Sequence, residues 1–180
     1  RVEGTRDGKQ YVQEYKRGVP QGKVKEEGKG QRTGTKVIFS PDRSIFPKIE
    51  FERKKILDYL RDQAYLTKGV RIVLIDERDE IPFYHAFKFD GGIKSFLDYL
   101  NDGGDKLIQN DIFYVAKEYE GVGVEVAFSY NEGMEIKEMS FANNIYTTDG
   151  GMHLTGFRTA LTRVLNDYGR KEGFIKEKED

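Results

Sequence analysis

The spacing of apolar residues changes several times along this chain, and those changes constrain the fold more than any other feature. Phe83, His85, Phe87 and Phe89 occupy every second position, which is typical of a strand. Near the end of the chain, apolar residues recur at three-four spacing, which predicts a helix with one buried face. Short segments of both kinds favour an α+β fold, with a mostly antiparallel sheet and helices on one face.

The same criteria locate the other elements. Helices are predicted at residues 52–66 and 93–100. A longer last helix is predicted after Asp149-Gly150-Gly151, with a core-facing stripe of Leu154, Phe157, Leu161, Val164 and Tyr168. Besides the segment around Phe87, strands are predicted at residues 10–15, 36–39, 70–75, 112–116, 122–130 and 137–145. Residues 22–34 have almost no apolar side chains, which predicts a loop or a mobile lid.

Charge is distributed unevenly. The 180 residues carry a net charge of −1, but residues 1–36 hold ten Lys or Arg against five Asp or Glu. This basic arm is either a solvated surface or a face that meets nucleic-acid phosphates. There are no cysteines, no run long enough for a membrane helix and no signal-peptide profile. We therefore expect a cytoplasmic protein without disulfides or membrane contact.

The sequence motifs do not support a complete catalytic site within this chain. Motifs for a serine or cysteine nucleophile, a phosphate loop and a metal-binding histidine pair are missing. Gly121-Val122-Gly123 precedes a predicted strand and so is no dinucleotide fingerprint. The acidic pairs Asp76-Glu77 and Asp79-Glu80 lie in a charged turn, where nothing favours acid–base catalysis. We assign neither catalytic nor metal-binding residues.

The two histidines are ambiguous on sequence grounds. His85 is expected to be a packed or edge residue of its strand. His153 lies at a helix start, where it either caps and packs or serves an anion or hinge site.

Four stretches together resemble the ATPase subunits of type IIA DNA topoisomerases, namely the B subunit of DNA gyrase and its topoisomerase IV counterpart. The first is Thr33-Gly34-Thr35 with residues 37–42, and the second is residues 66–70 with Ile75-Asp76-Glu77-Arg78. The third is residues 91–96, and the fourth runs through residues 140–145 and 149–157 to 160–163. The segment 161–169 resembles gyrase more than topoisomerase IV.

This resemblance implies two parts. Residues 1–40 look like the last strands of a GHKL-type ATPase domain, and residues 41–180 like a transducer domain similar to domain 2 of ribosomal protein S5. In the family, ATP closes two subunits into a clamp around DNA, and the transducer passes that signal to the DNA gate. The catalytic glutamate, the magnesium-binding asparagine, the lid and a phosphate-sensing lysine are expected outside this chain, which is therefore expected to be an inactive fragment.

Three residues match family positions individually. Thr35 matches a threonine that reaches the adenine end of the nucleotide, and Arg6 matches an arginine at the rim of that pocket, where aminocoumarins also bind. Arg158 matches an arginine that lines the DNA cavity between paired transducers. Met152 departs from the family, which usually has threonine there, so a hydroxyl-dependent role at that helix start is not implied.

The resemblance therefore implies ATP and Mg²⁺ as ligands of the intact enzyme, with none bound by this chain alone. The implied partners are DNA, a second copy of the subunit and the gyrase A subunit. A stand-alone S5-like nucleic-acid-binding module without ATP coupling is the alternative. A purely structural dimerisation domain is a further option, but it leaves the Thr33-Gly34-Thr35 stretch unexplained.

Overall fold

The computed structural model describes residues 1–176. The chain divides into two compact units, Arg1–Glu52 and Arg53–Asp180. The first unit contains only strands, whereas the second combines helices with strands. The presence of both kinds of element confirms the predicted α+β class.

The first unit is built on a four-stranded antiparallel sheet. The unit as a whole has six strands, namely β1 (Val2–Arg6), β2 (Lys9–Gln13), β3 (Tyr15–Lys16), β4 (Val19–Pro20), β5 (Lys25–Lys29) and β6 (Gly34–Val37). The sheet order is β5-β2-β1-β6, while β3 and β4 form a separate short hairpin. The predicted turn at Asp7-Gly8 joins β1 to β2 with φ angles of 52° and 74°, a left-handed conformation that Asp and Gly tolerate.

The prediction of a loop or lid at residues 22–34 is wrong in part. Residues 25–29 form β5, which pairs with β2 across a bulge at Gln10 and Tyr11. All five residues of β5 are exposed. Strand pairing uses backbone groups, so an edge strand needs no apolar side chains, and its charged residues keep other strands from adding to the edge.

Up to residue 176, the second unit contains three helices and three hairpins. The helices are α1 (Arg53–Leu66), α2 (Ile93–Asn101) and α3 (Met152–Lys171). The strands are β7 (Ile72–Asp76), β8 (Phe83–Phe87), β9 (Phe113–Tyr119), β10 (Val122–Phe128), β11 (Phe141–Ala142) and β12 (Ile145–Tyr146). They pair antiparallel as β7-β8, β9-β10 and β11-β12. Within the described residues these are separate ladders rather than the one sheet that the sequence led us to expect.

An aromatic stack forms the core of the second unit. Tyr65 of α1 stacks on Phe89, which follows β8, with ring centroids 3.6 Å apart. On α2, Phe96 and Tyr99 lie 4.9 Å and 5.7 Å from the same tyrosine ring. Ala64, Tyr65 and Phe96 are all buried. Stacked and offset rings add a geometric preference to apolar burial, so this stack fixes α1 and α2 against β8.

Helix α3 forms as predicted, but its apolar stripe is only partly covered. Leu154, Phe157 and Leu161 are half-buried, whereas Val164 and Tyr168 are each 58% exposed. Phe157 lies 6.1 Å from the ring of Phe128 on β10. The expectation that the whole stripe lies in the core is therefore wrong, because three-four spacing identifies an apolar face without showing what packs on it.

The single strand predicted at residues 137–145 is also wrong. Residues 137–140 have no regular structure, and the two-residue strands β11 and β12 fold back on each other. Asn143 and Asn144 make the connecting turn, with φ angles of 47° and 63°. Asparagine is one of the few residues that enter this left-handed region readily, so the pair reverses the chain.

Candidate functional site

Thr35 and Arg6 share one face of the first unit's sheet. Thr35 on β6 is paired with Gly4 on β1, and Arg6 is two residues further along β1. Side chains two apart on a strand point to the same face, as do directly paired residues. Gly4 contributes no side chain, and a Cβ placed there would meet nothing within 4 Å. The two residues named by the resemblance therefore border an open strip of the sheet.

Both side chains on this face are solvent-accessible. Thr35 is exposed, and the Arg6 side chain is 83% exposed, with an Asp7 oxygen 3.6 Å from its Nε. Lys9, paired with Arg6 across the strands, forms an ion pair of 3.1 Å with Glu26. Chemically, the face offers a hydroxyl that donates and accepts hydrogen bonds and a permanent cation. It can border a ligand but does not enclose one.

Arg158 is held in a two-point ion pair. Its Nε and Nη2 donate to Oε2 and Oε1 of Glu138 at 3.0 Å and 2.5 Å. The hydrogen bonds to Glu138 raise the pKa of Arg158 above its ordinary value. Parallel bonds of this kind are the strongest arrangement that a guanidinium forms with a carboxylate. Sequence reasoning missed Glu138, because no spacing rule connects residues 20 positions apart on different elements.

A cleft of about 260 Å³ lies beside this ion pair. Arg158 and Glu138 line it, together with the hydroxyl-bearing residues Ser140, Thr147 and Thr148. Ser140 and Thr147 brace the wall, since their hydroxyl oxygens are 2.6 Å apart and the Thr147 backbone N–H donates to the Ser140 carbonyl at 2.9 Å. These bonds close the two ends of the β11-β12 hairpin, and the Glu138 ion pair links the segment before it to α3.

A second charge cluster, around Asp76, is structural. Asp76, at the end of β7, is 8% exposed and accepts hydrogen bonds from both Arg78 and Arg53. The Arg78 hydrogen bonds, followed by that of Arg53, hold the pKa of Asp76 well below its usual range. A carboxylate so firmly ionised is a poor proton carrier.

The histidines lie on different elements. His85 is exposed on β8 beside the rings of Phe83 and Phe87, at 6.2 Å and 4.5 Å, and His153 is exposed in the first turn of α3. In the part of the chain that the structure describes, His, Cys, Asp and Glu side chains nowhere gather in the threes that could hold a metal ion. None of the helices within residues 1–176 has the length and apolar content that a bilayer crossing requires.

Comparison with known proteins identifies the class. The family model for DNA gyrase B matches residues 92–180. The DNA gyrase B subunit of Halalkalibacterium halodurans is 44% identical over 98% of this chain and 28% of its own length. The DNA topoisomerase 4 B subunit of Enterococcus faecalis is 42% identical over 97% of this chain and 26% of its own. The chain thus spans about a quarter of the length of these relatives.

Solved structures agree with this result. The 43K ATPase domain of Thermus thermophilus gyrase B, crystallised with an aminocoumarin, superposes with a TM-score of 0.79 at 36% identity, over 99% of this chain and 48% of that one. The gyrase B-subunit of Myxococcus xanthus, at 23% identity over 93% of this chain and 49% of its own, also gives a TM-score of 0.79 and supports the fold.

These matches define the class as the B subunits of DNA topoisomerases. Within that class, the chain belongs to the family formed by the B subunits of DNA gyrase and DNA topoisomerase 4.

Proposed function

We propose that this chain is the part of an ATP-dependent DNA topoisomerase that couples ATP binding and hydrolysis to clamp closure and DNA strand passage, within the B subunit of that enzyme. The observation that carries the proposal is the match to gyrase B and topoisomerase 4 B subunits at 40–44% identity along nearly the whole chain. Because that match includes the basic first part as well as the second, it argues against a stand-alone nucleic-acid-binding module.

In this proposal, residues 1–40 are the end of a GHKL-type ATPase domain and residues 41–180 the transducer. Among residues 1–52, Val12 is the buried apolar side chain, and Val37, Ile38 and Phe39 are exposed. A sheet that buries so little is expected to pack against further protein. The remainder of the ATPase domain would provide that contact.

ATP is the proposed nucleotide, with Thr35 at its adenine end and Arg6 at the pocket rim. Their shared face and accessible side chains support this placement. Mg²⁺ is proposed for the whole enzyme, but no magnesium ligand is placed within this chain. DNA, a second copy of the same polypeptide and the gyrase A subunit are the proposed partners.

Arg158 is the proposed DNA contact. It is accessible, with a side chain 63% exposed, and a guanidinium contacts phosphate without reading sequence. Arg158→Gln in the assembled enzyme should therefore leave nucleotide binding nearly unchanged and lower both DNA-stimulated ATP turnover and supercoiling. The defect should depend on salt, since a lost phosphate contact lowers the salt dependence of DNA binding. Arg158→Lys should recover part of the activity, because it keeps the charge without the planar fork.

Arg163→Gln is the matched control. Arg163 is exposed on the same helix, five residues further on, and so points about 140° away around the helix axis. It removes the same charge from a different face. Normal supercoiling by Arg158→Gln across a salt series, or an equal defect in both variants, would remove Arg158 from the DNA path.

A further inference from the structure

The Arg158–Glu138 ion pair occupies one of the two edges through which a guanidinium can bind a phosphate with two hydrogen bonds. Nε and one Nη2 hydrogen form the side-on edge of the guanidinium, and both donate to the Glu138 carboxylate. That edge binds a phosphate in the same bidentate way as a carboxylate. A phosphodiester that binds through this side-on edge therefore competes with Glu138 for the same donors.

The pair is also electrically neutral. A paired guanidinium attracts phosphate less strongly than a free one, because the carboxylate cancels its charge at distances larger than the pair itself. The two partners are not equally accessible, since the Arg158 side chain is 63% exposed and that of Glu138 is 32% exposed. A ligand can thus reach the arginine while the glutamate stays against the protein.

Glu138 lies where it can release the arginine without disrupting the fold. Residues 137–140 belong to no helix or strand. The nearest anchor is Ser140, whose carbonyl accepts hydrogen bonds from both the backbone N–H and the hydroxyl of Thr147 at 2.9 Å. Arg158 is on the exposed side of α3, so its long side chain can turn away from Glu138 without loss of helix hydrogen bonds.

We propose that Glu138 is a competing counter-ion that holds Arg158 in a DNA-disengaged state, so that DNA binding through the side-on edge of Arg158 requires exchange of a carboxylate for a backbone phosphate. This inference rests on the proposed DNA contact of Arg158 and states how Glu138 regulates that contact. Glu138 acts as a positioning residue through Arg158 and does not itself touch DNA.

The test measures binding of a short fluorescent DNA duplex to the 180-residue chain by anisotropy over a salt series. Glu138→Gln should bind more tightly than the unaltered chain. One additional phosphate contact makes the logarithmic salt slope steeper by about 0.9, so the ratio of the two affinities should rise about 3.5-fold between roughly 200 and 50 mM salt. Glu135→Gln is the matched control, because it removes the same charge from an exposed position three residues away.

A double-substitution comparison separates this inference from the proposed function. In an Arg158→Gln background, Glu138→Gln should give no more gain than Glu135→Gln. Glu138→Asp keeps the negative charge on a shorter side chain, so it should increase DNA affinity less than Glu138→Gln does. It serves as the second test variant if circular dichroism shows that Glu138→Gln folds poorly.

The outcomes are distinct. If Arg158→Gln leaves duplex binding unchanged, the proposed DNA contact is wrong. If Arg158→Gln weakens binding but Glu138→Gln behaves like Glu135→Gln, the DNA contact stands and the counter-ion role is wrong. A gain in Glu138→Gln that persists unchanged without Arg158 also overturns the inference, since the glutamate would then act by general charge alone.

Discussion

The Gln63 side chain donates a hydrogen bond of 3.0 Å to the carbonyl oxygen of Asn144, which joins α1 to a turn 81 residues further along the chain. In return, the Asn144 amide donates to the Thr67 hydroxyl at 3.3 Å. These bonds hold the turn of the β11-β12 hairpin against α1, whose Tyr65 lies in the aromatic core. A two-residue strand pair such as β11-β12 has little stability of its own and depends on contacts of this kind.

The left-handed backbone at Asn144 gives the first prediction. Its φ is 63°, so Asn144→Val should destabilise the chain by about 1–2 kcal/mol, because a β-branched side chain is strained in this region. Asn144→Gly is the control, since it removes the same amide but keeps the backbone conformation accessible. Urea denaturation of the two variants checks this. Equal losses in both would show that the side-chain bond to Thr67, rather than the backbone, determines the effect.

The second prediction ranks three truncations by burial. Phe96 is 4% exposed, so Phe96→Ala should cost about 3–5 kcal/mol. Leu161 is half-buried, and Leu161→Ala should cost about 1–2 kcal/mol, below the range for a core leucine. Val164 is 58% exposed, so Val164→Ala should lower the free energy of unfolding by less than about 0.5 kcal/mol. Chemical denaturation gives the order, and a loss for Leu161→Ala equal to that for Phe96→Ala would mean that α3 is covered more deeply than this structure shows.

The third prediction concerns acid stability. Hydrogen bonds from Arg78 and Arg53 lower the pKa of Asp76 in the folded state. Its stabilising contribution is therefore complete above the ordinary aspartate pKa of 3.8 and declines as the pH falls from there towards the lowered value. Asp76→Asn should lower the thermal midpoint at about pH 7 and make stability depend less on pH below about 4. Thermal melts at several pH values check both effects.

Asp79 provides the matched control for that experiment. It also accepts a hydrogen bond from Arg53, at 2.5 Å, but its side chain is 62% exposed. An exposed ion pair contributes little, so Asp79→Asn should change the melts much less. If the two variants behave alike, the burial of Asp76 has no energetic consequence.

The last prediction concerns nucleotide binding by the chain alone. Thr35 and Arg6 border an open face, so a non-hydrolysable ATP analogue should bind no tighter than about 1 mM, and ATPase activity should be undetectable. Tighter binding needs more than about 4 kcal/mol, which two exposed side chains do not supply. Isothermal titration calorimetry measures the affinity, with Thr35→Val as the comparison. Micromolar binding that Thr35→Val abolishes would show that this face forms a complete pocket.

The sequence by itself determined the local elements. Residues 52–66 and 93–100 were predicted to be helical, and α1 and α2 follow those bounds within one residue. The reason is physical, because helix and turn signals arise from neighbours along the chain. Examples are the apolar positions Ile56, Leu57, Leu60 and Ala64 on one face of α1, and the Asp7-Gly8 turn. The resemblance identified Thr35, Arg6 and Arg158, and their roles stay predictions.

Only the tertiary structure decided which side chains are covered and which charges meet. The apolar spacing of α3 continues through Val164 and Tyr168, yet both are exposed, because burial depends on what packs against a face. The Glu138 fork on Arg158 and the Arg53 bond to Asp76 join residues 20 and 23 positions apart, respectively. No local rule encodes such contacts, since they exist only after separate elements have packed. The same packing determines how accessible Arg158 is.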